Sequence, residues 1–153
     1  QWVGATKDTN NTAELTAIIE AIRLATERRT GDGHEEICSD SLYAINMTTG
    51  KWKPKQGDKA VNLEIIWHAR VAWLRLQQLR PKEVRIVHVR SHTRIPGNET
   101  ADHLAEVGRN GGAADIAYTE RWLNKWLHDH PGAAARPPGY GGATRAPVQQ
   151  ADR

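Results

Sequence analysis

Apolar positions along the chain recur at two periods, and together they predict alternating helices and strands. Leu15, Ile18, Ile19 and Ile22 follow the 3.6-residue helical period as far as about residue 29, where Thr30, Gly31 and Gly33 break it. Asn11 and Glu14 stand at capping-box spacing at the start of that helix. Ahead of it, residues 2–6 read as the end of a strand, closed by a polar stretch over 7–11. A short strand is expected over 36–39, ending at Asp40 and Ser41, followed by a short helix over 41–47 that Thr48, Thr49 and Gly50 terminate. A long helix opens at Asn62 with Ile65, Ile66, Ala69, Trp73 and Leu76 on its apolar stripe, and both Trp67 and Trp73 are assigned to the core. Pro81 ends it. Residues 84–89 form a strand dense in β-branched side chains around Ile86, and a helix follows over about 98–107, bounded by Gly108. Trp122, Leu123, Trp126 and Leu127 mark one more amphipathic helix, with Thr119 as its candidate N-cap. Alternation of this kind argues for an α/β domain.

Composition narrows the class. At 153 residues the chain suits one domain, and its 39% hydrophobic and 25% charged content fits a globular protein. No apolar run approaches the roughly 18 residues of a membrane span, which excludes a transmembrane chain and a membrane partner. The first residues lack a basic region followed by an apolar one, so no signal peptide is read, and the single Cys38 suits a reducing, intracellular compartment. The formal charge of +3 is compatible with nucleic acid but weak evidence alone. From residue 131 onward Gly, Ala, Pro and Arg dominate, which predicts a disordered tail. Three segments are therefore expected: a domain over 1–110, an extra amphipathic helix over 111–130 and the tail over 131–153. Because the sequence opens on Gln1 directly within a strand-like segment, it reads as a fragment, a processed product or a trimmed chain.

Three carboxylates sit where elements begin or end. Glu14 lies near the start of its helix, Asp40 follows a strand, and Asp102 lies in the first turns of a helix. Each also has a plain structural explanation: Glu14 as a capping-box residue, Asp40 as a cap for the short helix it precedes, Asp102 as a complement to a helix dipole.

The flanking residues change the weight of that choice. Thr9-Asn10-Asn11-Thr12-Ala13-Glu14-Leu15 resembles the TNNxxEL signature of type 1 ribonucleases H. Ser39-Asp40-Ser41-Leu42-Tyr43 is similar to the segment in which that family carries Asp-Ser and, two residues on, Tyr. The stretch from His88 through His92, Gly97, Asn98, Glu99 and Asp102 to Ala105 resembles its third block, HVxxHxxxxGNExADxLA. The three blocks occur in the family's order, and the resemblance covers about residues 2–108.

The resemblance implies a three-layer α/β/α ribonuclease H-like fold with a mixed central sheet, N-terminally incomplete. It implies endonucleolytic hydrolysis of the RNA strand of RNA–DNA hybrids by two Mg²⁺ ions, with Mn²⁺ as a substitute. Glu14, Asp40 and Asp102 would be the metal ligands, and His92 the mobile histidine that assists proton transfer or product release. Hard carboxylate oxygens suit Mg²⁺, and a pair of such ions about 4 Å apart activates the attacking water and stabilises the leaving oxygen. Asn10 and Asn11 match positions that contact the minor groove and RNA 2′-hydroxyls. Thr9 and Asn62 match the phosphate pocket for the DNA strand, Ser41 and Asn98 further nucleic-acid contacts. Asn62 reads equally as the N-cap of its helix, and Glu99 as a first-turn dipole complement.

Lys51, Trp52, Lys53, Lys55 and Lys59 form the densest basic cluster, a combination that suits phosphate contact with stacking. The alternative is a solvated basic loop with Trp52 packed inward. Relative to family members with a longer basic insertion at this place, the loop is short. The first-strand aspartate that completes the family's carboxylate set has no counterpart, since Asp8 lies in the loop before the asparagines. Two readings follow: a hybrid-cutting nuclease, free-standing or released from a polyprotein, and a catalytically inactive hybrid-binding domain of the same fold.

Overall fold

The computed structural model describes residues 10–28, 34–55 and 60–133. The strand expected over 2–6, Thr9, the turn at 30–33, Lys59 and the tail beyond 133 lie outside the described residues. The elements are α1 (Asn10–Glu27), β1 (Glu35–Ser39), α2 (Leu42–Thr49), α3 (Ala60–Leu79), β2 (Val84–His88), α4 (Pro96–Arg109) and α5 (Ile116–Asp129). They divide into two compact units, the first ending at His88 and the second beginning at Val89.

In the first unit β1 and β2 pair in parallel, from Glu35 opposite Val84 to Ser39 opposite His88. Helices α1, α2 and α3 pack on one another, with α1 against β1 and α2 against β2. The result among the described residues is an α/β fold in which helices flank a small parallel sheet. Its core is the expected set: Leu15, Ile18 and Ile22 of α1 and Ile65, Ile66, Ala69, Trp73 and Leu76 of α3 are all buried. Complete burial of a large aliphatic side chain stabilises the fold by about 1.5–3 kcal/mol, so these stripes decide how the helices face.

The exposed face of α3 corrects one expectation. Trp67 is 66% exposed, whereas Trp73 is 2% exposed. Six residues apart, the two side chains point to different sides of the helix. Leu63, Val71 and Leu74 share the exposed stripe with Trp67.

Capping residues are displaced from several expected positions. Helix α1 already includes Asn10, so Asn11 stands inside it rather than at its cap. Ser41, and not Asp40, caps α2: its hydroxyl accepts from the Ala44 N–H at 3.1 Å. Gly50 closes α2 at φ +82°, a conformation open to glycine without steric cost. Helix α3 begins at Ala60, so Asn62 is its third residue and not its cap.

Arg80 ties the first unit together where α3 ends. Its guanidinium, 8% exposed, donates to the Ala25 carbonyl near the end of α1 at 3.0 Å, to Glu35 at the start of β1 at 2.7 Å and to Glu83 at 3.1 Å. The bonds to Glu35, then Glu83, hold its charge even more firmly than an ordinary arginine's. Arg85 and Glu36, opposite each other in the sheet register, add a partly buried ion pair at 3.0 Å.

The second unit is a helical hairpin. Helix α4 starts at Pro96, earlier than expected, and runs through Gly108 to Arg109. Gly111, at φ +77°, returns its N–H to the Gly108 carbonyl, and Gly112 lies so near Val107 that an added Cβ would meet its Cγ1 at 2.9 Å. Asp115, and not Thr119, caps α5 by accepting from the Tyr118 N–H at 2.7 Å.

Two stability outcomes follow. Arg80→Ala is expected to lower the unfolding free energy by about 3 kcal/mol, the low end for breaking a buried pair because Glu35 keeps some solvent. A urea titration should show a lower midpoint at unchanged slope, and a loss under about 1 kcal/mol would contradict this role for the guanidinium. Ser41→Ala should cost about 1 kcal/mol by removing the α2 cap; no change in the same titration would mean that the cap is dispensable.

Candidate active site

Each predicted site residue can be followed to its element. Glu14 is the fifth residue of α1 and partly buried. With Asn11 inside the helix, the capping-box explanation of Glu14 loses its other half. Asp40 immediately follows β1, partly buried, at the carboxyl end of a parallel strand. Open α/β sheets bind ligands at that end of their strands. Since Ser41 performs the capping, the capping explanation of Asp40 falls away as well.

In the second unit, Asp102 is the seventh residue of α4 and exposed, whereas Glu99 is the acidic residue of the first turn. A helix dipole acts over the first turn only, so it accounts for Glu99 and not for Asp102. Asn98 is partly buried in that first turn. His92 is exposed, in the loop before α4, at φ +55°, and Arg94 two residues on lies at φ +56°. Thr93 Oγ1 donates to the Arg90 carbonyl at 2.8 Å and tightens the same loop.

The predicted nucleic-acid contacts fall on three segments of the first unit. Asn10 and Asn11 open α1, both exposed, while Thr12 beside them is buried. Ser41 caps α2. Lys51, Trp52 and Lys53 follow α2 and all three are exposed, with Trp52 at 43%, which overturns an inward-packed Trp52. Asn62 is partly buried in the first turn of α3.

Chemically, the candidate ligands Glu14, Asp40 and Asp102 offer only carboxylate oxygens, a donor set that suits a hard divalent cation. The first two stand on α1 and directly after β1, elements that pack together, and the third stands in the second unit. Among the described residues no three His, Cys, Asp or Glu side chains gather into a group able to hold a metal ion.

One feature of the second unit escaped the sequence reading. His103, the neighbour of Asp102, stacks on Trp122 at 4.3 Å between centroids and lies 5.9 Å from Tyr118, whose hydroxyl meets its Nε2 at 2.8 Å. Trp126 continues the stack to His130 at 4.3 Å. The signal was present in the spacing: Tyr118, Trp122, Trp126 and His130 recur every four residues and so share one face of α5.

The comparisons with known proteins agree with the motif blocks. The family model described as RNase H matches residues 2–110, so α5 lies beyond the matched region. The protein named Ribonuclease H of Tropheryma whipplei (strain Twist) is 36% identical over 110 residues, which cover 67% of this chain and 63% of that protein. Those of Dechloromonas aromatica (strain RCB) and Pseudomonas entomophila (strain L48) are each 36% identical, over 110 and 111 residues, covering 70% of this chain and 71% of each relative. The chain thus spans a little under two thirds of the length of the Tropheryma relative. No solved structure shows a significant match. With a family model over more than two thirds of its length and three motif blocks in order, the chain belongs to the RNase H family.

Proposed function

We propose that the chain supplies the nuclease domain of an enzyme that hydrolyses the RNA strand of RNA–DNA hybrids. Family membership supports nuclease function in general. The observation that carries the finer reading is Asp40: a partly buried carboxylate at the carboxyl end of a parallel strand, whose capping explanation Ser41 removes. In this reading the two-stranded sheet is part of a larger mixed sheet between two helical layers. Glu14, Asp40 and Asp102 would hold Mg²⁺, which when bound supplies charge stabilisation and an activated water. The chain's own residues do the remaining work. Asn10 and Asn11 address the 2′-hydroxyls that mark the RNA strand; Thr9, Ser41, Asn62, Asn98 and the Lys51–Trp52–Lys53 loop hold phosphates and sugars; His92 moves a proton from an exposed loop. No helix among the described residues is long and apolar enough to cross a membrane.

Asp40→Asn in the full-length protein removes a charge while keeping the side chain's shape. It is expected to lower Mg²⁺-dependent cleavage of a labelled hybrid by at least about 100-fold, the scale of removing one electrostatic catalytic group, with hybrid affinity changed less than about threefold. The parent should cut neither RNA–RNA duplex nor hybrid in EDTA. Equal cleavage by variant and parent would remove Asp40 from the reaction, and cutting in EDTA would remove the metal.

A further inference from the structure

The short basic loop after α2 owes its shape to a residue far away in sequence. Arg70, two turns along α3 from Asn62, donates from Nε to the Met47 carbonyl and from Nη2 to the Trp52 carbonyl, each at 2.7 Å. The Trp52 N–H donates to the Asn46 carbonyl at 3.0 Å, and Gly50 makes the turn between them in the left-handed region. Both backbone polar groups of Trp52 are therefore committed. Asn46 and Met47 are themselves buried, so the loop is anchored to the core and not only to a neighbouring surface. The Met47 carbonyl belongs to the last turn of α2, where a cation also meets the negative end of the helix dipole.

We infer that Arg70 is a positioning residue for nucleic-acid binding: its guanidinium fork fixes the backbone from which Lys51, Trp52 and Lys53 project at a phosphodiester backbone. The inference rests on the proposed function, because it takes that loop to touch the hybrid. The physical reason is preorganisation. Lys51, Trp52 and Lys53 are all exposed, and exposed lysines on a free loop lose conformational freedom when they close on phosphates. A loop already tied at Asn46, Met47 and Trp52 loses much less. The planar guanidinium presents Nε–H and Nη2–H in one rigid fork matched to the two carbonyls, whereas an ammonium's three donors radiate from a single atom on a flexible stem and fix their separation less well. The same helix carries Asn62 in its first turn, eight residues before Arg70 and so about 12 Å along the axis. A single rigid element would then set the separation between two proposed backbone contacts.

The experiment is a double-mutant cycle on equilibrium binding of a fluorescent RNA–DNA hybrid to the full-length protein in EDTA, repeated over a salt series. The expected results are these. Lys51→Ala with Lys53→Ala weakens binding about tenfold and lowers the slope of log affinity against log salt by one to two, the signature of lost phosphate contacts. Arg70→Met weakens binding about fivefold in the parent and less than twofold when both lysines are already gone. Arg70→Lys, which keeps the charge, weakens it nearly as much as Arg70→Met, and in both variants the Trp52 amide exchanges its hydrogen faster. If the lysine pair proves irrelevant to binding, the loop is not on the hybrid and both the reading and the inference fall. If the lysines matter but Arg70→Met and Arg70→Lys leave affinity unchanged, the inference alone falls. It falls too if Arg70→Met costs the same in both backgrounds, since the arginine then acts by its own charge or through general destabilisation. Should Arg70→Met fail to fold, Arg70→Lys decides alone, by its effect in the two backgrounds.

Discussion

The first unit depends on one charge taken out of water. Arg80 follows α3 directly, and nothing but full pairing permits a guanidinium at 8% exposure. Its partners define what it joins: the end of α1 through the Ala25 carbonyl, the start of β1 through Glu35, and the turn into β2 through Glu83. A salt bridge of this kind contributes little net stability over a hydrophobic replacement, because desolvation offsets much of the attraction. Its value here lies in geometry. Apolar stripes let α1 and α3 slide along each other at modest cost, whereas three directional bonds to three different elements permit a single arrangement. That arrangement places the first residue of β1 opposite the first residue of β2 and so settles which residues emerge at the far end, where Ser39 faces His88 and Asp40 leaves the sheet.

Much of this was legible from the residues, because burial follows periodicity. The α1 and α3 stripes were read correctly, since a 3.6-residue repeat over four or five apolar positions points one face inward. Trp67 was misread for the opposite reason. A tryptophan is presumed internal by its size, but its position on the wheel puts it with Leu63, Val71 and Leu74 on the outer face. Cap positions were legible only to within a few residues, from one at α2 to four at α5, where Asp115 caps and not Thr119. Asp40 and Ser41 are both good caps in adjacent positions, and only the observed bond from Ala44 to the Ser41 hydroxyl separates them. That separation matters beyond secondary structure, because it assigns the α2 cap to the hydroxyl and not to the neighbouring carboxylate. Arg70 and Arg80 were not legible at all: each acts on carbonyls and carboxylates that only tertiary structure brings near.

The second unit solves a different problem. Helix α4 buries no residue completely, and neither does α5, so the hairpin is held by half-buried rings and not by a dry core. His103 packed against Tyr118 and Trp122 joins α4 to α5 through large contact areas with few rotatable bonds to immobilise, and Trp126 against His130 extends the stack along α5 itself. The hydroxyl bond between Tyr118 and His103 then sets the rotation of α5 against α4. The RNase H match, which ends at residue 110, includes His103 and stops before the Tyr118, Trp122 and Trp126 rings of α5.

Backbone strain offers a last test of how far geometry alone identifies function. Among the described residues, three non-glycines occupy the left-handed region: Lys82, His92 and Arg94. Each conformation costs of order 1 kcal/mol or more and persists only where surrounding structure enforces it. For Lys82 the enforcement is evident. It sits in the tight turn between Arg80 and β2, where the Glu83 N–H donates to the Arg80 carbonyl at 3.2 Å and the Arg80 side chain is bonded to Ala25, Glu35 and Glu83. Strain there is the cost of the anchor and implies no chemistry. His92 and Arg94 lie in a loop that the Thr93 side chain tightens by a bond to Arg90, three residues back. Two strained residues flank that threonine in an exposed loop that follows the buried Val89. Positive φ is therefore shared by a turn with an evident structural cause and by the His92 loop, and strain alone does not separate the two.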